Sequence, residues 1–219
     1  TINANCTLAA GAQGNNMIVT NSFTVGSGAT LTLGTTGTRI NFTLAASGSG
    51  TVSGTVSQTF GGTDGIFTDS GDLTVTGAGL INGNGDFTLN SGATLRIGST
   101  SGITSGTAAA GNIQVTGTRT FNVGANYIFN GTANQTMSNG LPANLTGALT
   151  INNSGNTVTL SSAQTIASGG KVNLVAGTFV AGANLTMAST SSIFRSGGTM
   201  TGAPQGAGVY NVTYTGSSM

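Results

Sequence analysis

Every carboxylate side chain in this chain belongs to one of four aspartates, and they fall close together: Asp64, Asp69, Asp72 and Asp86. Thr63-Asp64-Gly65 and Thr68-Asp69-Ser70-Gly71-Asp72 read as loops, where carboxylates beside main-chain carbonyls can hold Ca²⁺. Asp64, Asp69 and Asp72 are therefore the candidate metal ligands, although their spacing matches neither the EF-hand loop nor the Ca²⁺-binding nonapeptide. Two carboxylates on adjacent coils could instead cleave a glycosidic bond. That chemistry needs one of them held as a proton donor, and the chain has no Glu, no His and no basic cluster to tune the pair. The plainer reading places these aspartates in turns, capping their own backbone. Cys6 is the single cysteine, so it reads as a small buried apolar residue rather than a disulfide partner or a nucleophile. No catalytic residue and no cofactor is expected, with Ca²⁺ the one candidate ion.

The remaining composition narrows the chemistry further. Among 219 residues there are 38 glycines, no His and no Trp, and only 4% of the side chains are charged. Without His, every His-based triad and most zinc sites are excluded. Five basic residues are too few for a phosphate-binding footprint, so no nucleic-acid partner is expected. No apolar run approaches the roughly 18 residues that a membrane-spanning helix needs. The opening Thr1 to Ala10 lacks the basic start and apolar core of a signal peptide. Gly- and Ser-rich chains are often disordered linkers. This one is 37% hydrophobic with a net charge of only +1, and its apolar residues alternate with Thr, Ser and Asn as in half-buried strands.

The alternation predicts strands at Met17–Thr20, Phe23–Val25, Thr30–Leu33, Arg39–Leu44, Thr51–Val56, Leu73–Thr76, Phe87–Leu89 and Thr94–Ile97. It continues with Asn112–Thr116, Thr120–Val123, Tyr127–Phe129, Ala148–Ile151, Thr157–Leu160, Lys171–Val175, Asn184–Met187 and Val209–Tyr214. No segment carries a helical period, and the near-absence of Lys, Glu and Gln leaves little to build exposed helices. Internal repetition then orders the strands. Phe23-Thr24-Val25-Gly26-Ser27-Gly28-Ala29-Thr30-Leu31-Thr32-Leu33-Gly34 returns as Phe87-Thr88-Leu89-Asn90-Ser91-Gly92-Ala93-Thr94-Leu95-Arg96-Ile97-Gly98. Shorter copies lie at Gly124-Ala125-Asn126-Tyr127 and Gly182-Ala183-Asn184-Leu185. Each reads as strand, tight corner, strand. Gly28, Gly92, Gly124 and Gly182 are the corner residues, expected at positive φ. Phe23, Leu31, Leu33, Phe87, Leu95 and Ile97 are expected to stack in interior rows.

Short strands joined by small corners, repeated without helices, predict an all-β parallel β-solenoid, a β-helix whose turns of about 20 residues stack through main-chain hydrogen bonds. The rival, an immunoglobulin-type sandwich, would want an aromatic core anchor and clearer hairpin signals. The whole chain, 1–219, reads as one continuous solenoid, with a module boundary near 120–126. A solenoid coil without a cap presents open strand edges. The final strand Val209–Tyr214 is apolar and uncapped, so copies are expected to associate into a fibre, or the chain to continue into further coils. Asn-x-Thr/Ser triplets at Asn5, Asn41, Asn130, Asn134, Asn144, Asn152, Asn184 and Asn211 allow glycosylation, but chance supplies several in so Asn- and Thr-rich a chain. A flat Thr/Ser/Asn face offers the second functional reading, a glycan- or ice-binding module. Its Thr-x-Thr pairs recur irregularly, which counts against ice.

From Tyr127 to Met187 a longer pattern emerges: Asn130-Gly131-Thr132, Gln135-Thr136, Gly140-Leu141-Pro142-Ala143, Leu149-Thr150-Ile151-Asn152-Asn153 and Val158-Thr159-Leu160. This resembles repeat modules of very large secreted surface proteins of Bacteroidetes-type bacteria, and Tyr210 to Met219 looks like the start of another module. The resemblance implies a β-solenoid that is adhesin-like or fibre-forming, located outside the cell or on its surface. It brings no catalytic residues with it.

Overall fold

The fold was taken from a computed structural model, which describes residues 1–8, 15–35, 38–59, 65–105, 110–206 and 209–216. These residues contain strands, bends and turns and no helix. The strands wind as a parallel β-solenoid of about eight turns. In the first half each coil contributes one strand to each of three sheets. Cys6–Leu8, Thr30–Leu33, Thr55–Gln58, Leu80–Gly83 and Ile113–Val115 make one lateral sheet. Asn15–Val19, Ile40–Leu44, Ile66–Asp69, Asp86–Leu89 and Arg119–Phe121 make the other. The third, long sheet begins at Ser22–Val25 and passes through Ser49–Val52, Asp72–Val75, Thr94–Ile97 and Asn126–Phe129. It continues through Ala148–Thr159, Lys171–Val180 and Ser192–Arg195 to Asn211–Tyr214.

Register explains why these residues repeat as they do. Because successive side chains of a strand point to opposite faces, unslipped parallel pairing turns each inward position into a column. In the long sheet Leu73, Leu95, Tyr127, Leu149 and Val172 lie one above another, and Val75, Ile97, Phe129, Ile151 and Leu174 form the neighbouring column. Leu31, Leu33, Phe87, Leu95 and Ile97 are all buried. Phe23 lies on the first strand of the long sheet and is only partly buried. Its ring leans over Gly50, the position in its column that carries no side chain. From there an aromatic file crosses the core through Phe42, Phe67, Phe87 and Phe121, with successive ring centroids 5.0, 4.7, 5.8 and 5.8 Å apart. Offset ring contacts of this kind add to the burial of large apolar surfaces.

Corners close the coils. Gly28, Gly92 and Gly182 have φ of 76°, 80° and 56°, the left-handed conformation that costs a side chain with a Cβ. Gly124 differs from the expectation, since it is not among the residues at positive φ. Its corner is closed by Asn122, whose Oδ1 accepts the Gly124 N–H at 2.9 Å, and a Cβ at 124 would collide with Ser91 Oγ of the coil beneath.

Several strand boundaries also differ. Thr51–Val56 is not one strand: Ser49–Val52 belongs to the long sheet and Thr55–Gln58 to a lateral sheet, with the bend at Ser53-Gly54 between them. Conversely, Ala148–Ile151 and most of Thr157–Leu160 belong to one irregular strand, Ala148–Thr159, which stops before Leu160 and has register shifts near Asn152. The final strand is Asn211–Tyr214, shorter than expected. Ile66–Asp69, Leu80–Gly83, Gln164–Ile166 and Ser192–Arg195 are strands that the pattern did not announce.

The two lateral sheets stop at Ile113–Val115 and Arg119–Phe121. A separate sheet of Asn144–Leu145, Gln164–Ile166 and Leu185–Met187 follows, while Gln135–Thr136 opens a new run of pairing with Val158 and Thr159. Only the long sheet continues without a break. Two of the three faces therefore change between Phe121 and Gln135, beside the stretch 120–126 where the sequence suggests a module boundary.

Candidate functional site

Alternation sends the aspartates in different directions. Asp64 lies outside the described residues. Asp69 ends the strand Ile66–Asp69 at an inward position, in register with Leu44 below and Leu89 above. It is wholly buried. Its Oδ1 accepts the Gly71 N–H at 2.9 Å, while Oδ2 has no hydrogen-bond partner. Burial raises its pKa to about 8; the Gly71 hydrogen bond opposes the rise and the charge of Asp72 adds to it. Asp72, across the corner, points outward and holds Arg96 of the next coil in a two-pronged bridge, Nε to Oδ1 at 2.8 Å and Nη2 to Oδ2 at 2.7 Å. That hydrogen bond raises the Arg96 pKa. Asp86 uses Oδ1 to accept the Thr118 N–H at 2.6 Å.

The corner geometry explains Asp69 in structural terms. Asp69-Ser70-Gly71-Asp72 is shorter than the corners below and above it, Leu44-Ala45-Ala46-Ser47-Gly48-Ser49 and Leu89-Asn90-Ser91-Gly92-Ala93-Thr94. In those longer corners the amide before the next strand is satisfied by a turn carbonyl: Gly48 N–H by Ala45 O at 2.8 Å and Ala93 N–H by Asn90 O at 3.3 Å. The shortened corner lacks that carbonyl, and the Asp69 carboxyl takes its place. Asp69 and Asp72 therefore face opposite sides of the wall and do not converge on a cation. No group of three His, Cys, Asp or Glu side chains able to hold a metal is found among the described residues.

The largest polar assembly inside the core consists of amides. Asn112 Oδ1 accepts the Ser99 N–H at 2.9 Å, and its Nδ2 donates to the carbonyls of Thr76 and Gly79 at 2.8 and 2.7 Å. Gln135 Nε2 donates to the Ile97 and Ser99 carbonyls at 2.8 and 2.9 Å, while Oε1 accepts from Gly131 N–H and Asn153 Nδ2 at 2.9 and 3.0 Å. Asn153 Nδ2 also donates to Ala133 O at 2.8 Å. All three amides are buried. They fasten the irregular stretch after Ile97, and what they hold is backbone. Sequence reasoning passed over them. Their one signal was a polar side chain at an inward position, as in Gln135-Thr136-Met137, where both Gln135 and Met137 are buried.

Two surface features remain. Thr43, Thr68, Thr88 and Thr120 form one outward column, but the adjacent column carries Ile66 and Asp86. On the long sheet, Thr24, Thr51 and Thr74 give way to Arg96 and Ile128. On the first lateral sheet two hydroxyl columns do lie side by side, Thr30 with Thr55 and Thr7 with Thr32 and Ser57, but they end at Leu80 and Asn82. At the far end, a cavity of about 410 Å³ opens among Leu174, Ile193, Arg195, Met200, Tyr210 and Tyr214. Here the interior column runs from Leu174 to Arg195 to Tyr214. The Arg195 guanidinium turns aside to donate to Gly198 O at 2.6 Å and lies 5.8 Å from the Tyr214 ring centroid. Asn211–Tyr214 pairs with Ser192–Arg195 on one side and stands at the edge of its sheet.

These features define a parallel β-solenoid with a neutral, hydroxyl- and amide-rich exterior and an exposed last described strand that carries Val212 and Tyr214. No family model, curated protein or solved structure matches the chain.

Proposed function

We propose that this chain is a structural element of a secreted bacterial surface protein, adhesin-like or fibre-forming, with no catalysis of its own. The observation that carries the reading is the long parallel ladder and the exposure of its last described strand. Asn211–Tyr214 is exposed along its whole length and presents the inward columns of the core, Val212 and Tyr214, beside the cavity. Such an edge is a template for pairing with another coil. The described aspartates support the same reading, since each is engaged with backbone or with Arg96 rather than aimed at a common point. The alternative, a glycan- or ice-binding module, draws less support because the threonine columns are short and interrupted, the adjacent pair on the first lateral sheet ending at Leu80 and Asn82. Negative-stain imaging of the purified chain, together with antibody labelling of intact producing cells, tests the proposal. Elongated assemblies and surface labelling are expected; a dispersed monomer confined to the cell interior would overturn it.

A further inference from the structure

Asp69 is the one Asp, Lys or Arg side chain among the described residues that lies wholly within the core. It interrupts a column that is otherwise Val19, Leu44, Leu89 and Phe121. One oxygen satisfies the shortened corner through Gly71; the other is buried with no hydrogen-bond partner. A carboxylate in that setting is far more costly than the neutral acid. The charged groups around it do not relieve the cost. Asp72, beyond the corner, adds repulsion. Arg96, on the strand above Asp72, is occupied by Asp72. Asp86, at the start of the overlying strand, is bound to the Thr118 amide. Arg39, before the underlying strand Ile40–Leu44, is exposed.

We propose that Asp69 is carried as the neutral acid in the folded coil and serves as an alkaline release for the corner Asp69-Ser70-Gly71-Asp72, which joins a lateral sheet to the long sheet. Ionisation leaves the bare oxygen only one remedy, water, and water reaches it when the corner opens. The direction of the linkage follows from the pKa, about 8 in the fold against about 3.9 for an unperturbed Asp. Between those values the folded chain binds more protons than the unfolded one. The contribution of this group to stability is therefore fully present below about pH 4 and is lost as pH rises to about 8. Within that window the folding equilibrium constant falls by up to about tenfold per pH unit.

The test compares urea midpoints of the full chain at about pH 5, 7 and 9. Wild-type midpoints are expected to fall with pH. Asp69→Asn keeps an Oδ1 acceptor for Gly71 and cannot ionise, so its midpoints are expected to stay level, while Asp72→Asn retains the wild-type fall. The same decline in Asp69→Asn, or a level or rising wild-type series, would overturn the proposal. A second measurement needs no variant. Carboxyl-carbon NMR titration of the wild type follows its four aspartates individually. One resonance titrating near 8 is expected, and all four titrating below about 5 would refute the release.

Discussion

The Gln135 amide lies inside the solenoid with both ends engaged, donating to the Ile97 and Ser99 carbonyls and accepting from Gly131 and Asn153. Replacing it with Leu would keep the volume and leave the Gly131 N–H without its acceptor, while the Ile97 and Ser99 carbonyls keep the amides of Asn130 and Gly102 and Asn153 Nδ2 keeps Ala133 O. One buried donor left unpaired costs about 1–3 kcal/mol and the three lost second bonds add to it, so Gln135→Leu is expected to lower stability by roughly 2–4 kcal/mol in urea unfolding. The bridge between Asp72 and Arg96 makes the contrast. Its side chains retain 43% and 33% exposure, and solvent and salt screen such a pair to about 0–1 kcal/mol. Arg96→Met should change the urea midpoint little at low salt and not at all at about 1 M salt. Neither role was legible beforehand, because sequence alternation assigns a side chain to a wall but not to a partner. Asp69 shows the difficulty most clearly. Thr68-Asp69-Ser70-Gly71-Asp72 has the composition of a loop, and it does contain a corner, yet Asp69 also closes the strand Ile66–Asp69. A polar residue at an inward position erased the pattern that would have revealed that strand.

Strands with unbroken apolar alternation were legible to within a residue or so. Thr30–Leu33 and Thr94–Ile97 coincide with the expected bounds, since Thr faces outward and Leu or Ile inward in both. Where the inward position held Gly or a polar group, the strand was missed; Leu80–Gly83 ends on the glycine at φ 105°. Thr51–Val56 failed for the opposite reason. The bend at Ser53-Gly54 leaves Val52 and Val56 both buried, so the period of two passes through a corner without visible interruption. Column position makes a direct prediction for these elements. Leu95 is buried between Leu73 and Tyr127, so Leu95→Ala should cost about 2–5 kcal/mol, the range for large-to-small core changes. Thr74, outward on the adjoining coil, should lose no more than about 1 kcal/mol when changed to Ala, the span of β-propensity at a half-buried site. Paired urea titrations of the two variants measure the contrast, and equal losses would show that the inward and outward rows were exchanged.

At the scale of the whole solenoid, one sheet carries continuity, and the proposed association acts through its last described strand. The lateral sheets are replaced midway, but the long sheet runs from Ser22–Val25 to Asn211–Tyr214. Its last strand leaves Val212 and Tyr214 at 46% and 64% exposure, and nearby Val209 at 84%. Val212 and Tyr214 continue interior columns, so water in contact with them is displaced by any coil that extends the ladder. Charge offers little resistance, because the formal net charge is +1 and only nine side chains are ionisable Asp, Lys or Arg, from Lys+Arg 5 and Asp+Glu 4. Arg195 is the charged side chain closest to that surface in the interior columns, and it is drawn aside onto Gly198 O. Association through this edge should therefore be driven by apolar burial and ladder hydrogen bonds and be insensitive to salt. The double variant Val212→Lys and Tyr214→Lys places two cations where the columns emerge, a device that natural edge strands use against pairing. In sedimentation velocity over a range of concentrations, the unmodified chain is expected to shift to larger species, and the double variant to remain at the mass of one chain. Identical distributions for the two would exclude this edge as the contact, and dissociation of the unmodified assemblies by salt alone would exclude apolar burial as their driving force.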